Sequence, residues 1–159
     1  MPEVFVAGLD GQTRQKAIDI LQGTLTDTIA LTLAVKQAHW NLKGPGFIGV
    51  HELLDDVADR LREGADLMAE RIVILGGIAK GTVEIAAEES KMSPYPTEII
   101  HIQDHIDALK ERMLAVGERV RKGMDAAGEA GDEDTADLLT EVSRAIDKDA
   151  WFVGANGTV

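Results

Sequence analysis

The stretch from Lys36 to Gly77, KQAHWNLKGPGFIGVHELLDDVADRLREGADLMAERIVILGG, decides how this 159-residue chain folds. It holds two of the four histidines, His39 and His51, twelve positions apart across a Gly/Pro break. A helical pattern behind His51 adds three carboxylates: Asp55, Asp66 and Glu70. Imidazole nitrogen and carboxylate oxygen together suit iron, zinc or manganese. A site built from this set requires that five residues spread over the stretch meet at one point.

The composition favours a single helical domain over residues 1–159. Hydrophobic residues make up 45% of the chain but aromatic residues only 4%, a balance more typical of helices than of β-sandwiches. A chain of this length can bury a sizeable core. It contains no cysteine, which excludes disulfides, thiolate metal sites and cysteine nucleophiles.

The formal net charge is −12, from 28 acidic and 16 basic residues. Such a charge repels nucleic acid and anionic membranes and attracts metal cations, although solubility alone would account for it. Residues 1–16 lack the basic segment and apolar run of a signal peptide. We find no apolar stretch that approaches the roughly 18 residues needed to span a bilayer. We therefore expect a cytoplasmic, soluble protein with no membrane partner.

Two helices are predicted around the Gly/Pro break. The first runs from about Asp10 to Ala38, on apolar positions at helical spacing: Ile18, Leu21, Leu25, Ile29 and Leu33. Residues 44–46 end this segment, because Gly and Pro together mark a turn. The second helix is predicted from about Val50 to Leu75, before a pair of glycines. Residues 1–9 are expected to form a flexible tail.

On a helical wheel the second helix has three distinct faces. One is apolar: Leu54, Val57, Leu61, Ala65, Met68, Ile72 and Leu75. The opposite face is acidic: Glu52, Asp56, Asp59 and Glu63. The edge beside the acidic face carries the candidate ligands His51, Asp55, Asp66 and Glu70. One helix therefore combines a core face with a candidate ligand edge.

A long crossover and two more helices complete the prediction. Residues 78–95 form a connection in which VEIAAEES is predicted to make a short helix, and it is long enough to travel the length of helix 2. Helix 3 is predicted from Pro96, favoured in a first turn, to about Ala127. Helix 4 is predicted to open with the acids of residues 132–134 and to end at Trp151 or Phe152. The predicted class is all-α: a ferritin-like four-helix bundle with a long crossover between helices 2 and 3 containing a short helix.

The spacing of the candidate ligands bears on how many chains a site would need. His51 and Asp55 are one helical turn apart, as are Asp66 and Glu70, so each pair can share an ion. Asp66 is eleven positions after Asp55, which is roughly 16 Å of helix rise. An antiparallel copy of the helix, related by a two-fold axis, would bring one pair opposite the other. The spacing predicts paired sites at a dimer interface; the open alternative is a solvated acidic edge with two incidental histidines.

A longer pattern of residues carries a family resemblance. It comprises His39-Trp40-Asn41, Lys43-Gly44, Phe47, His51-Glu52-Leu53-Leu54-Asp55, Asp66, Ala69-Glu70-Arg71, Leu75-Gly76-Gly77, Tyr95-Pro96, Gln103-Asp104-His105, Asp134-Thr135-Ala136-Asp137, Asp147-Lys148 and Trp151-Phe152. In this order, over residues 18–153, the chain closely resembles the Dps family, the miniferritins named for DNA-binding proteins of starved cells.

The resemblance implies a subunit that assembles into a hollow homododecamer with ferroxidase centres between two-fold-related subunits. One subunit would supply His39, His51 and Asp55, and the other Asp66 and Glu70. The implied ferroxidase oxidises Fe(II), preferably with hydrogen peroxide rather than dioxygen, and stores ferric mineral, which protects against oxidative damage. Iron is the only cofactor implied, with no organic cofactor, although the ligand types also admit zinc or manganese.

Further residues carry two interpretations each. Trp40, beside the implied centre, is expected either to intercept radicals or to pack at an interface. Three acids match positions near pores through which iron enters the shell, and are also ordinary acids of a helix start: Asp132, Asp134 and Asp137. Four acids of helix 2 are expected either to nucleate mineral in the cavity or to be a solvated face: Glu52, Asp56, Asp59 and Glu63.

A second metal motif occurs outside this pattern. Residues 98–101 spell the Glu-x-x-His motif of larger di-iron bundles, and His101 and His105 are spaced i, i+4. Those bundles use the motif on two helices, whereas here it occurs once. We expect His105 to be a structural or surface residue rather than a ligand.

The alternative function is DNA binding that protects the nucleoid, and the charge pattern counts against it. Residues 1–20 contain Arg14 and Lys16 against three acids, and no basic residue follows Lys148. Phosphate contacts need clustered cations. We therefore predict that DNA binding is unlikely at physiological salt.

Overall fold

Helices make up the regular structure of residues 2–158, the part of the chain that the computed structural model describes. They are α1 (Gly11–Asn41), α2 (Phe47–Ile74), α3 (Val83–Glu89), α4 (Ile102–Ala130) and α5 (Glu133–Gly154). The four long helices form a bundle in which α1 packs against α2 and α4, and α5 packs against α4 and α2. The short α3 lies in the crossover and packs on α1. The predicted all-α bundle with its helical crossover is confirmed.

The turn between α1 and α2 places the two histidines side by side. Asp10 begins α1 as its N-cap, because its side chain accepts a hydrogen bond from the Thr13 backbone N–H at 2.8 Å. Only five residues separate the two helices, and Gly46 adopts φ +77°, a conformation that other L-residues rarely adopt. The last turn of α1 therefore lies beside the first turn of α2. Both helices extend three residues further into the turn than predicted.

The core follows the predicted apolar faces with one exception. On α2 the side chains of Leu54, Val57, Leu61, Met68, Ile72 and Leu75 are buried. On α1, however, Leu33 is 50% exposed and Leu31 and Val35 are buried instead. Successive i+4 steps advance about 40° around a helix, so three steps from Leu21 carry Leu33 off the core face. The predicted place of Leu33 in the core is wrong.

The predicted start of α4 at Pro96 is also wrong, because the helix begins at Ile102. The backbone before it runs extended and forms an isolated parallel bridge between Lys43 and His101. The Lys43 N–H donates to the Ile100 carbonyl at 2.9 Å, and the Ile102 N–H donates to the Lys43 carbonyl at 3.0 Å. This pairing clamps the start of α4 to the turn beside the two histidines.

The N-terminal segment lies along the end of α2. The Phe5 N–H donates to the Ile74 carbonyl at 2.9 Å, and Val6 and Leu9 pack against the core. The flexibility expected of residues 1–9 stays a prediction, and Met1 lies outside the described residues. Hydrogen exchange at Phe5 would measure how firmly the segment is held.

Within residues 2–158, α1 is the one helix long and apolar enough to cross a membrane by length and composition. The expectation that no apolar stretch approaches the length needed to span a bilayer is therefore wrong. However, 56% of the apolar window is buried inside the structure, where α1 packs against α2, α3 and α4. A central bundle helix is apolar because it contacts protein on several sides, so it passes the same test.

Candidate metal centre

His39 and His51 stack face to face where α1 and α2 meet. Their ring centroids are 3.7 Å apart with an interplanar angle of 16°. His39 is buried and His51 is half-buried. The Phe47 ring also stacks with His51, with centroids 5.0 Å apart. The two imidazoles are thus held in fixed orientations before any ligand binds.

The two histidines are also joined by reciprocal hydrogen bonds. His39 Nδ1 lies 2.7 Å from the His51 carbonyl oxygen, and His51 Nδ1 lies 2.9 Å from the His39 carbonyl oxygen. A carbonyl only accepts, so each neutral ring carries its proton on Nδ1 and leaves the Nε2 lone pair available. Metal-binding histidines commonly have this arrangement, in which the second nitrogen is held by a carbonyl or carboxylate.

Asp55 lies one turn after His51, near the His39 ring. The His39 Nε2 atom is 3.5 Å from Asp55 Oδ1, and Lys36 Nζ is 2.5 Å from the same oxygen. The hydrogen bond from Lys36 is the main reason that the pKa of Asp55 lies below its ordinary value. The carboxylate is therefore ionised and suited to bind a cation, but a cation would have to displace Lys36. Lys36 is not among the residues that the sequence pattern predicts for the centre, because its i, i+3 spacing to His39 is common on helix surfaces.

Asp66 and Glu70 are exposed on α2, away from this cluster. Because α2 is continuous from Phe47 to Ile74, Asp66 stands roughly 16 Å of helix rise from Asp55. In the part of the chain that the structure describes, no three or more His, Asp or Glu side chains are grouped as a complete metal site. The structure brings three predicted ligands into one region and keeps the other two apart. Completion of the site by a second chain stays a prediction.

The surface beside the histidine pair exposes apolar side chains. Trp40 is 67% exposed and Leu33, seven residues earlier on the same helix face, is 50% exposed. The Lys36 ammonium lies 5.7 Å from the centroid of the Trp40 ring, within range of a cation–π contact. Both interpretations of Trp40, as a radical trap and as an interface residue, stay predictions.

The acids predicted near a pore differ in exposure. Asp132 is 1% exposed and caps α5, where its side chain accepts from the Thr135 N–H at 3.1 Å. It also accepts from Arg71 at 2.8 Å, which ties the end of α2 to the start of α5. Asp134 and Asp137 are exposed. The pore role stays a prediction, and Asp132 would have to release two internal partners to take part in it.

The acidic face of α2 is exposed along its length, at Glu52, Asp56, Asp59 and Glu63. Asp59 pairs with Arg62 at 2.8 Å. Beside this face, Arg60 reaches inward and donates to the buried Asp149 carboxylate from Nε and Nη2, at 2.9 and 2.6 Å. Burial raises the pKa of Asp149 and the Arg60 hydrogen bond opposes the shift. Whether the acidic face nucleates mineral is not decided by its exposure.

The Glu-x-x-His motif does not form a helical ligand pair. Both residues precede α4, with Glu98 in a bend and His101 in the extended backbone of the N-cap, so the motif lacks the helical spacing on which it depends. His105 is only 1% exposed, and its Nδ1 lies 2.7 Å from the Tyr95 hydroxyl. Of the two alternatives for His105, the surface position is wrong and the structural one fits.

Comparisons with known proteins agree with this architecture. The protein family described as "Ferritin-like domain" matches residues 18–156. The "DNA protection during starvation protein" of Agrobacterium fabrum is 47% identical over 148 residues, which cover 93% of this chain and 91% of the relative. Dps from Microbacterium arborescens in the high iron form is 34% identical with a TM-score of 0.85, covering 93% of this chain and 97% of that one. DpsA14 from Streptomyces coelicolor is 36% identical with a TM-score of 0.91, covering 97% and 91%.

Proposed function

Because this chain belongs to the Dps family of ferritin-like proteins, we propose that it is a ferroxidase that stores iron. It oxidises ferrous iron, preferably with hydrogen peroxide, and holds the ferric product as mineral inside a hollow homododecamer in the cytoplasm. Removal of iron and peroxide together protects the cell against oxidative damage. One structural relative is described as a high iron form, which supports iron as the cargo.

The observation that carries this proposal is the reciprocal bonding of His39 and His51. Both Nδ1 atoms are held by main-chain carbonyl oxygens, so both Nε2 atoms are available to a metal in the correct tautomer. A pair of incidental surface histidines would have no reason to share this arrangement. Asp55 adds a carboxylate 3.5 Å from one of these Nε2 atoms.

We propose that Asp66 and Glu70 of a two-fold-related subunit complete the centre. Both side chains are exposed, and both lie too far along α2 to reach the histidines of their own chain. An isologous dimer would form two equivalent centres, each with ligands from both chains. The exposed Leu33 and Trp40 give the surface around the half-site the apolar character of an interface core.

The proposed ligand set matches the chemistry of the substrate. Carboxylate oxygens are hard ligands that stabilise ferric iron, and imidazole binds the ferrous ion. Two ferrous ions give one electron each to a hydrogen peroxide, which takes up two protons and leaves as two waters, so no hydroxyl radical is released. The role of the protein is to hold both ions at once, which makes the two-electron step faster than two separate one-electron steps.

Iron uptake and mineral growth would involve other acids. Asp134 and Asp137 are exposed at the start of α5, where we place a pore through which iron enters, with Asp132 capping the helix beside it. The exposed acidic face of α2 would nucleate the mineral if it lines the cavity. Trp40 is exposed beside the half-site, where it would either intercept radicals or be covered by the neighbouring subunit.

Protection of DNA is the second candidate function, because relatives carry that name. The net charge of −12 and the few basic residues of both terminal segments count against direct DNA contact. We expect no retardation of DNA in a gel shift with iron-free protein at low or moderate salt. Retardation that weakens as salt rises would favour the second candidate.

Peroxide-driven iron oxidation tests the proposed activity. Native protein and a His39→Ala/His51→Ala variant would be compared with His101→Ala, a matched control at an exposed histidine outside the centre. We expect the double variant to lose ferroxidase activity and the control to retain it. Equal rates in all three proteins would show that the histidine pair is not the centre.

A further inference from the structure

Tyr95 is the only tyrosine in the chain, and its hydroxyl is bonded to a buried histidine. The phenol oxygen lies 2.7 Å from His105 Nδ1. The two rings are stacked, with centroids 6.0 Å apart and an interplanar angle of 17°. Neither residue belongs to the proposed centre, so the pairing has no part in iron binding.

The state of His105 makes it the acceptor in this bond. Burial lowers its pKa, while the Ile99 backbone carbonyl and the Asp104 carboxylate oppose that shift, so the ring is neutral at neutral pH. Burial also raises the pKa of Tyr95 far above its ordinary value, so the phenol keeps its proton and donates. Nδ1 then accepts and Nε2 carries the histidine proton. Nε2 has no hydrogen-bond partner within the described residues.

Arg112 holds the tyrosine ring in place. Its guanidinium carbon lies 5.2 Å from the ring centroid. Its nitrogens donate to the carbonyl oxygens of Ser93 at 3.2 Å and Ala108 at 2.9 Å, and to that of Pro94. The phenol is half-buried and its hydroxyl is bonded to His105, so this histidine is the nearest proton acceptor when an electron is removed from Tyr95.

Two features connect the pair to the elements that carry the candidate centre. Tyr95 lines the same surface groove as Ala34 and Gln37 of α1. Gln37 belongs to the same helical turn as Lys36 and His39. The bridge between Lys43 and His101 joins the segment that carries His105 to the same turn.

We propose that Tyr95 and His105 form a redox-active pair that removes one-electron oxidants escaping from the centre. The proposal rests on the proposed ferroxidase function, since the oxidant is of the hydroxyl-radical class, formed when one ferrous ion reduces peroxide alone. The oxidant takes one electron from Tyr95 and becomes hydroxide, while the phenolic proton moves to His105 Nδ1. The neutral tyrosyl radical is then reduced by a second ferrous ion, and His105 returns the proton. The net change is one ferrous ion oxidised and one radical converted to hydroxide.

Rapid-freeze electron paramagnetic resonance during iron oxidation with peroxide tests this pair. With a single tyrosine in the chain, a tyrosyl signal in wild type is assigned without ambiguity, and ring-deuterated tyrosine should narrow it. Tyr95→Phe keeps the ring and should abolish the signal while the rate of iron oxidation stays unchanged. His105→Gln should lower the yield several-fold. Iron oxidation by wild type without a tyrosyl signal would overturn the proposal and leave the ferroxidase function intact.

A second measurement works without iron. Flash photo-oxidation of the full-length protein with a ruthenium sensitiser and persulfate should oxidise Tyr95 at neutral pH. Proton transfer within the hydrogen bond predicts a rate that falls in heavy water and falls several-fold in His105→Gln. If the bond is merely structural, the rate of photo-oxidation will be the same in heavy water and in His105→Gln as in wild type in ordinary water. That result would refute the redox-active pair, whether or not the centre oxidises iron.

Discussion

Two clusters of this molecule use histidine in opposite ways. At the turn between α1 and α2, the Nδ1 atoms of His39 and His51 are bonded to main-chain carbonyl oxygens, and Asp55 lies near one Nε2. At the start of α4, the Nδ1 of His105 accepts a hydrogen bond from the Tyr95 hydroxyl, and its Nε2 is buried. In each cluster, the group bonded to one ring nitrogen thus decides what the other nitrogen can bind.

The two clusters also differ in what surrounds them. The first lies at a surface where Leu33 and Trp40 are exposed; His39 is buried, but His51 and Asp55 are not, so substitution of His51 should cost the isolated subunit little stability. The second joins the crossover to α4 and is buried, so its residues contribute to stability. Substitutions should therefore separate iron oxidation from folding.

The largest effect is expected for His51→Ala. Loss of a direct ligand should slow peroxide-driven iron oxidation by roughly 100-fold or more, beyond the 10–100-fold typical of residues that only orient a ligand. The unfolding midpoint of the iron-free protein should change little, because His51 is half-buried at the surface. Stopped-flow absorbance and chemical denaturation measure the two quantities. A large loss of stability with unchanged oxidation would reverse the assignment of the two clusters.

His105→Ala should have the opposite profile. It leaves a cavity and a phenol without its partner, which should lower the free energy of unfolding by about 2–4 kcal/mol. Steady iron oxidation should be nearly unchanged. Denaturation at one fixed protein concentration, with the exposed His101→Ala as control, measures the difference. An unaltered stability would show that the Tyr95 bond contributes nothing to the fold.

The same histidine predicts a pH dependence. Burial lowers the folded pKa of His105 below its ordinary value of 6.5, so the unfolded chain takes up the proton first on acidification. Its contribution to stability is complete above that value and declines as the pH falls through 6.5, by at most about 1.4 kcal/mol per pH unit. His105→Gln should show a flatter loss of stability than wild type over this range. Parallel curves would contradict the buried, neutral state of His105.

The smallest effect is expected at Lys36. Lys36→Met removes the cation that holds Asp55, so a divalent ion no longer has to displace it. Since ion pairs at a protein surface are weak, cobalt(II) should bind only up to about fivefold more tightly. Lys43→Met, an exposed lysine in the adjacent turn, is the matched control. Weaker binding by Lys36→Met would mean that Lys36 supports the site rather than competing for Asp55.

Local patterns were sufficient for most of the fold. Apolar spacing, the Gly/Pro break and the helix-start acids predicted four long helices and the crossover helix. The predicted start of α4 was wrong because the observed start depends on a backbone bridge to Lys43. Lys43 lies far away in sequence, so the residues around the start of α4 do not indicate the bridge. The exposure of Leu33 depends on which side of α1 the neighbouring helices cover, and spacing alone does not contain that information.

The candidate centre was predictable in composition but not in geometry. Helix rise already indicated that Asp66 and Glu70 stand apart from His51 and Asp55. The reciprocal bonds between the histidines run through main-chain carbonyl oxygens, which are present at every residue and so leave no sequence signal. The cation beside Asp55 is equally hidden, because a lysine three residues before a histidine is an ordinary helix surface.

A complementation experiment tests the shared centre most directly. One variant carries His39→Ala and His51→Ala, the other Asp66→Ala and Glu70→Ala, and both are assembled alone and together. A mixed dimer would contain one fully substituted centre and one intact centre, so random pairing at equal amounts should restore about a quarter of wild-type iron oxidation. Each variant alone should be inactive. If both are inactive alone and the properly assembled mixture is no more active, the centre is not divided between two chains.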